Sequence, residues 1–477
     1  MDLERQLRRL RSYALVTYPF ACVPFLFLFF TEHGMDAAAY GEILTAYYAT
    51  MFLAEVPTGV LGDRLGARRM LVAGPVLLAL GFVTFLCWRE YPGFILGEVL
   101  LGLGHSVLSG PPSVALYETL KAHGVEGRYL AEESRIHARR LLGTGAAFLL
   151  GGALVHFGND AGDAYVPAIA ATAVLSAAAS ALASRLHIDS RARAATTRRE
   201  PFLRLAIQEL AKRPVRWLLL YWVVLFTLLR FPFHNYQPYL KATSDLEPLF
   251  ANAVFVGIIF AVLNLFAAPL SARVPQLVER WGRRPIFWAM PLVLCASMLV
   301  MALERRAAGA GESAAWMCWV GVSMFFVQQV PFAMHWSLIH EFVNDRIGSQ
   351  ARTTVLSVLS LGARASYALA NIWLFRVQAD EGLATALFAA AGAGAAAAAL
   401  ALWLRPRGTL RGDGGARCVA GRVSCRFARA GRSKQRKGRR SPRSQRSPAR
   451  RPPRPSTPAH WGSAKRASSR RPRRQTR

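Results

Sequence analysis

Apolar positions along this chain fall into unbroken blocks of about 20 residues, the length of helix that crosses a bilayer, rather than into the one-sided stripes of a soluble helix. The blocks predict spans near 13–31, 42–62, 69–88, 92–117, 136–157, 164–186, 214–240, 249–273, 285–303, 314–341, 352–376 and 382–404. Pro111-Pro112 in the fourth block predicts a kink or a break, because proline removes a backbone donor and clashes with the preceding turn. Polar intervals are short except for 187–213, which divides the chain into a first half at 1–186 and a second at 214–404, with 405–477 following. The expected fold class is an all-α membrane protein of 12 transmembrane helices in two pseudo-symmetric six-helix bundles.

Charge refines this picture once it is located. The formal net charge is +31, but residues 405–477 hold 25 Lys and Arg against one acid, Asp413. The extreme basicity therefore belongs to the tail. That segment is rich in Arg, Ser, Pro, Ala and Gly, cannot bury enough apolar surface to offset chain entropy, and is expected to be a disordered basic cytoplasmic tail. Three readings stand for it: contact with anionic lipids, nucleic-acid binding, or an extension without function; with no folded module or aromatic platform, nucleic acid is not an expected partner. In the rest of the chain, one set of alternate loops carries about 25 Lys and Arg up to residue 352, nine of them from Arg185 to Arg216. The other set holds Arg89, Lys241, Arg305, Arg306 and Arg376. Since basic loops stay in the cytoplasm, both termini are expected there. Residues 1–11 are basic and lead into the first block without a small-residue cleavage site, so the first helix is expected to be retained.

The second span ends in Glu55-Val56-Pro57-Thr58-Gly59-Val60-Leu61-Gly62-Asp63-Arg64-Leu65-Gly66-Ala67-Arg68-Arg69. Gly59 and Gly62 are read as permitting close helix approach, Gly66 as permitting a tight turn, and Asp63 as pairing with loop arginines or with the N-terminal end of a neighbouring helix. A degraded copy, Glu279-Arg280-Trp281-Gly282-Arg283-Arg284, lies between the eighth and ninth spans. Arg64, Gly66 and Arg68 fall on Arg280, Gly282 and Arg284 at one offset of 216 residues, as an internal repeat requires. The first copy resembles the signature loop between the second and third helices of the major facilitator superfamily (MFS). The stretches EVPTG, GEVLLGLG and ALYETL look most like poorly characterised bacterial members regarded as efflux pumps. The resemblance covers residues 1–404 and implies alternating access between two halves, with the first, fourth, seventh and tenth helices lining the path. It also implies a site in the bacterial plasma (inner) membrane.

Two departures from the family pattern bear on mechanism. Glu98 stands where many members carry an arginine ahead of Gly-x-Gly, here Gly102-Leu103-Gly104, so no proton-relay role of that arginine carries over. Gly143, Gly145, Gly151 and Gly152 form a glycine ladder in the fifth span without the Gly-Pro pair usual in drug–proton antiporters.

Ionisable groups inside spans are costly in lipid and therefore face a cavity or a partner. Glu98 and Glu55 are the proton-coupling candidates, because desolvation penalises a charged carboxyl and suits it to taking up and releasing a proton. For Glu98 the rival reading is a fixed pair within the bundle; for Glu55 it is bracing of the signature loop. The cavity candidates are His105, Arg230, Asn235, Tyr236, Gln328, Gln329, His335, Trp336 and Arg364. Arg364 is read as pairing with Glu98 or attracting an anion, Arg230 as a cavity charge or a group reaching the outer surface, and His335 and Trp336 alternatively as packing. Tyr13, Thr17 and Tyr18 with several phenylalanines in the first span suit an apolar or aromatic solute.

No HExxH, GxSxG or Walker lysine loop occurs, and His340-Glu341 alone is a weak catalytic pair. The expected function is secondary transport of a small, partly apolar or drug-like molecule, by proton-coupled efflux or alternatively by uptake. A membrane enzyme or sensor on the same fold is the rival. No cofactor and no metal are expected; the proton gradient supplies the energy, the partners are the substrate and the bilayer, and the chain is expected to be a monomer.

Overall fold

The computed structural model describes residues 2–18, 20–158, 163–188, 202–312, 314–347, 352–406 and 409. Most of the 187–213 connection and nearly all of the 405–477 tail lie outside these residues, so the expectations placed on them are not addressed by the structure. Every extended element among the described residues is a helix. In chain order they are α1 (Leu3–Val16), α2 (Leu26–Glu32), α3 (Ala37–Leu65), α4 (Ala67–Cys87), α5 (Tyr91–Leu108), α6 (Pro111–Ala122), α7 (Tyr129–Gly158) and α8 (Val166–Ser184). There follow α9 (Phe202–Leu210), α10 (Arg213–Thr243), α11 (Ala253–Ala272), α12 (Val274–Trp281), α13 (Arg283–Gly309), α14 (Ala315–Arg346), α15 (Arg352–Glu381) and α16 (Leu383–Trp403).

Leaving aside the short α9, these helices make 12 transmembrane passes, because three spans are each built from two pieces. The fourth is α5 plus α6, broken ahead of Pro111 as the proline pair dictates. The eighth is α11 plus α12. The first was expected to be continuous, but its helix stops at Val16 and resumes, after a 3-10 turn at Val23–Phe25, as α2. Backbone freed inside a membrane must find other partners. Here the Thr172 hydroxyl accepts from Cys22 N–H at 3.2 Å, and the Gln237 amide accepts from Phe27 N–H at 2.8 Å while donating to the Val23 carbonyl. Large apolar side chains such as Leu53, Leu292 and Leu369 are about 70% exposed on the outside of the bundle, where lipid rather than water surrounds them.

Helices α1–α8 form one bundle and α10–α16 the other. Within the first, α4 and α5 approach through glycines: a Cβ on Gly81 would lie 2.9 Å from the Gly97 carbonyl, and one on Gly104 would lie 3.0 Å from that of Gly74. Two seams join the bundles. Along α7 and α11, Gly152 and Gly257 face each other, Phe148 meets Phe260 edge-on, and the Asn264 amide donates to the Leu141 carbonyl at 3.0 Å. Along α3 and α15, Asn371 donates to the Gly41 carbonyl at 2.6 Å, Tyr48 packs on Tyr367, and Arg364 pairs with Glu55. The grip of Gln237 on the broken first span ties the bundles together at the end opposite the termini.

Candidate functional site

The signature loop and its copy share one geometry. Gly66 closes α3 at φ 82°, ψ 158°, and Gly282 closes α12 at φ 79°, ψ 163°. Each donates its N–H 2.9 Å back to the carbonyl four residues earlier, Gly62 and Val278 respectively. A side chain is strained in that backbone region. Gly66→Ala and Gly282→Ala are each expected to cost about 1–3 kcal/mol, read as a lowered unfolding midpoint in detergent. An unchanged midpoint for both would mean that the turn relaxes freely.

Other parts of the loop reading change. A Cβ on Gly59 would meet nothing within 4 Å, and one on Gly62 only Met70 at 3.7 Å, so neither glycine is needed for close helix approach. The Asp63 side chain lies outside the described ones. Arg68 donates to the Ser184 carbonyl at 2.6 Å and so caps the C-terminal end of α8, where the helix dipole favours a cation. Arg64, Arg69 and Arg280 are exposed, and Arg284 is largely so. In the copy it is Arg283, not Arg284, that makes an ion pair, with Glu341 of α14 at 2.7 Å. That contact accounts for the Glu341 of the suspected catalytic pair.

Between the bundles lies a wall of rings and charges. His105 of α5 stacks on Tyr18 of the first span with centroids 5.3 Å apart at 12°, and His335 of α14 stacks on Trp222 of α10 at 5.3 Å and 14°. Each histidine turns Nδ1 to a carbonyl of its own helix, Leu101 at 3.0 Å and Phe332 at 2.6 Å. His105 and His335 are 230 positions apart in the chain, and so are Glu98 and Gln328. The two histidines thus take similar places, each stacked on a ring of the first span of its own half and bonded to its own helix. Tyr48 bonds His234 at 3.0 Å, and His234 stacks on Tyr367, adding α3, α10 and α15 to the wall.

Glu98 is 4% exposed and lies within electrostatic reach of Cys22, Tyr40, Tyr47 and Tyr48. Among the described residues no ion-pair partner approaches it. Arg364, expected to pair with Glu98, instead meets Glu55 at 2.5 Å across the seam between α3 and α15. Glu55 accordingly braces the opposite bundle rather than the signature loop. Arg230 lies well inside α10, its guanidinium over the rings of Phe226 (5.2 Å) and Phe332 (5.9 Å), so it does not reach for the surface. Arg140 of α7 lies over Tyr18 at 5.4 Å, and among the described residues its buried Nε has no partner.

Several candidates sit apart from this wall. Asn235 is fully buried, its amide donating to Phe231 of the same helix. Tyr236 stacks on Phe325 at 4.0 Å, and Gln328 donates to Ser297 of α13 at 2.9 Å; both pack within the second bundle, and Gln329 is buried there too. Trp336 is 52% exposed, one residue and about 100° of helix away from His335. Sequence reasoning missed Arg140, His234, Tyr47, Tyr48 and Tyr367. Arg140 was hidden because the fifth span was started at 136, which makes a basic residue near its edge look like loop charge. An apolar crevice of about 240 Å³ between α10, α13, α15 and α16 is lined by residues such as Val223, Leu228, Ala390 and Gly394. It carries no ionisable group and is not the site.

The comparisons with known proteins agree with this architecture. No curated protein sequence matches the chain. Among solved structures, the nucleoside transporter NupG is similar at a TM-score of 0.69 with 14% identity, over 85% of this chain and 99% of that one. A D-xylose-proton symporter is similar at 0.60 with 14% identity over 84% and 96%. A POT family transporter in complex with 5-aminolevulinic acid is similar at 0.59 with 12% identity over 85% and 95%. At such identities the likeness shows the fold. The sequence profile described as Major Facilitator Superfamily matches residues 12–371. This chain belongs to the major facilitator superfamily and is a membrane transporter.

Proposed function

We propose that the chain is a proton-coupled secondary transporter that exports a small, partly apolar solute through the wall of rings between its halves. Residues 1–186 rock against 214–404, with 187–213 as the connection between them, and no cofactor is used. The observation that carries the coupling is Glu98: a buried carboxyl beside the path, unpaired among the described residues, where Arg364 is already taken by Glu55. Proton binding and release would convert it between neutral and charged forms as the cavity changes side, so that the step of crossing depends on its occupancy. The arginine-rich loops support cytoplasmic termini in a bacterial plasma membrane, and the basic tail suits contact with anionic lipid.

Uptake by symport is the second reading, favoured by the likeness to a D-xylose-proton symporter and a nucleoside transporter. Proteoliposomes with an imposed pH gradient separate the two. Flux of labelled solutes is expected to accelerate down the gradient for the intact chain and for a truncation after residue 404, and to lose that acceleration in Glu98→Gln. Movement in the direction opposite to protons supports export; movement with them supports uptake. Equal flux without a gradient would remove proton coupling, and unaltered coupling in Glu98→Gln would remove the assignment of this carboxyl.

A further inference from the structure

We propose that the substrate is a small aromatic acid, a flat ring carrying one negative charge, held between Arg140 of one bundle and Arg230 of the other. The inference rests on the transport reading above and adds the charge and shape of the solute.

Three observations carry it. Each guanidinium lies over aromatic rings, Arg140 on Tyr18 and Arg230 on Phe226 and Phe332. Among the described residues, neither has an ion-pair or hydrogen-bond partner. Both belong to the wall described above: Tyr18 stacks on His105, and His105 lies within electrostatic reach of Arg230. Both side chains are half-buried and the Arg140 Nε is shielded from solvent; a cation held largely away from water without a counter-ion is costly unless something supplies the charge.

Charge balance points the same way. Glu55 and Arg364 neutralise each other, which leaves two guanidinium groups against the single carboxyl of Glu98. When Glu98 is charged, one positive charge remains, and one monoanion balances it. Glu98 stands seven residues from His105 along α5, about 10 Å, so it does not share the seat of the anion beside Tyr18. A carboxylate fits a guanidinium through paired N–H donors, and a flat ring beside it matches the aromatic faces of Tyr18, His105, Trp222 and His335. A neutral sugar would leave the arginines without a counter-charge, and an amine would be repelled by them.

The test is equilibrium binding to the purified full chain of three labelled probes of similar size: salicylate as the acid, salicylamide as its neutral counterpart and benzylamine as a cation. Salicylate is expected to bind saturably and about tenfold more tightly than salicylamide, with benzylamine weakest. Arg140→Gln and Arg230→Gln are each expected to weaken salicylate about tenfold to a hundredfold while moving salicylamide by less than about threefold, which also shows that the variants fold. Arg230→Lys should keep part of the affinity. Salicylamide or benzylamine binding as tightly as salicylate, either Gln variant binding salicylate like the parent chain, or no binding of any probe would overturn the proposal. Because binding is read without a gradient, it can fail while proton coupling through Glu98 stands, and the reverse.

Discussion

Glu55→Ala is expected to destabilise the protein by about 3–5 kcal/mol, because it strands the Arg364 guanidinium in the seam between α3 and α15. The two side chains are only 15% and 14% exposed and meet at 2.5 Å, joining the second span of one bundle to the eleventh of the other. Removing one partner of a buried pair costs more than the pair contributes, since the remaining charge has lost both its counter-ion and its water. The exchange Glu55→Arg with Arg364→Glu should recover most of the loss, as coupled neighbours do and independent sites do not. Denaturant unfolding in detergent reads both. A single variant within about 0.5 kcal/mol of the parent would show that the pair is held loosely enough for water to replace either member.

The second large effect lies in α7. A Cβ on Gly143 would fall 1.9 Å from the Leu15 carbonyl, and one on Gly151 would fall 1.9 Å from that of Ala21. Both contacts are with backbone of the broken first span, which cannot turn aside as a flexible side chain can. Gly143→Ala and Gly151→Ala are therefore expected at the upper end of the cost of overpacking, about 3 kcal/mol each, with loss of transport because the first span lines the path. Gly59→Ala, open on all sides, is the control and should leave stability within about 0.5 kcal/mol. Equal behaviour of the three variants would mean that the first span yields to α7 without cost.

The glycine ladder shows what the sequence made legible and where it stopped. Close approach was read at Gly59 and Gly62, where none occurs, and the ladder only as lacking the Gly-Pro pair; in the structure Gly143 and Gly151 seat the first span, whereas Gly152 seats Gly257 of the other bundle. Periodicity gives spacing along a helix but not the direction each face takes in the bundle. The apolar blocks were legible for the same reason that the membrane imposes them, since a span must satisfy its own backbone over a fixed thickness. The break in the first span was not, because its freed N–H and C=O groups are satisfied by Thr172 and Gln237, which lie far away in sequence. The 216-residue offset predicted that Gly66 and Gly282 would form equivalent turns, and they do, to within a few degrees. The partner of Arg364 could not be read in the same way. Two carboxyls inside spans, Glu55 and Glu98, were available, and choosing between them needs relative depth and rotation across helices from opposite halves. Arg140 is the instructive omission: a charge counted as loop decoration stands in α7 over a tyrosine of the first span.

The claim on which the rest depends is that two six-helix halves move against each other so that the central wall faces one side at a time. Pulsed electron spin resonance on the reconstituted full chain tests it with two label pairs. One pair, at Asp36 and Asp245, reports the end where Gln237 grips the first span; the other, at Lys121 and Glu279, reports the end that carries the termini. Imposing a pH gradient should shift the two distance distributions in opposite senses, one pair closing as the other opens. Distances that stay fixed at both ends, or that change together, would contradict it.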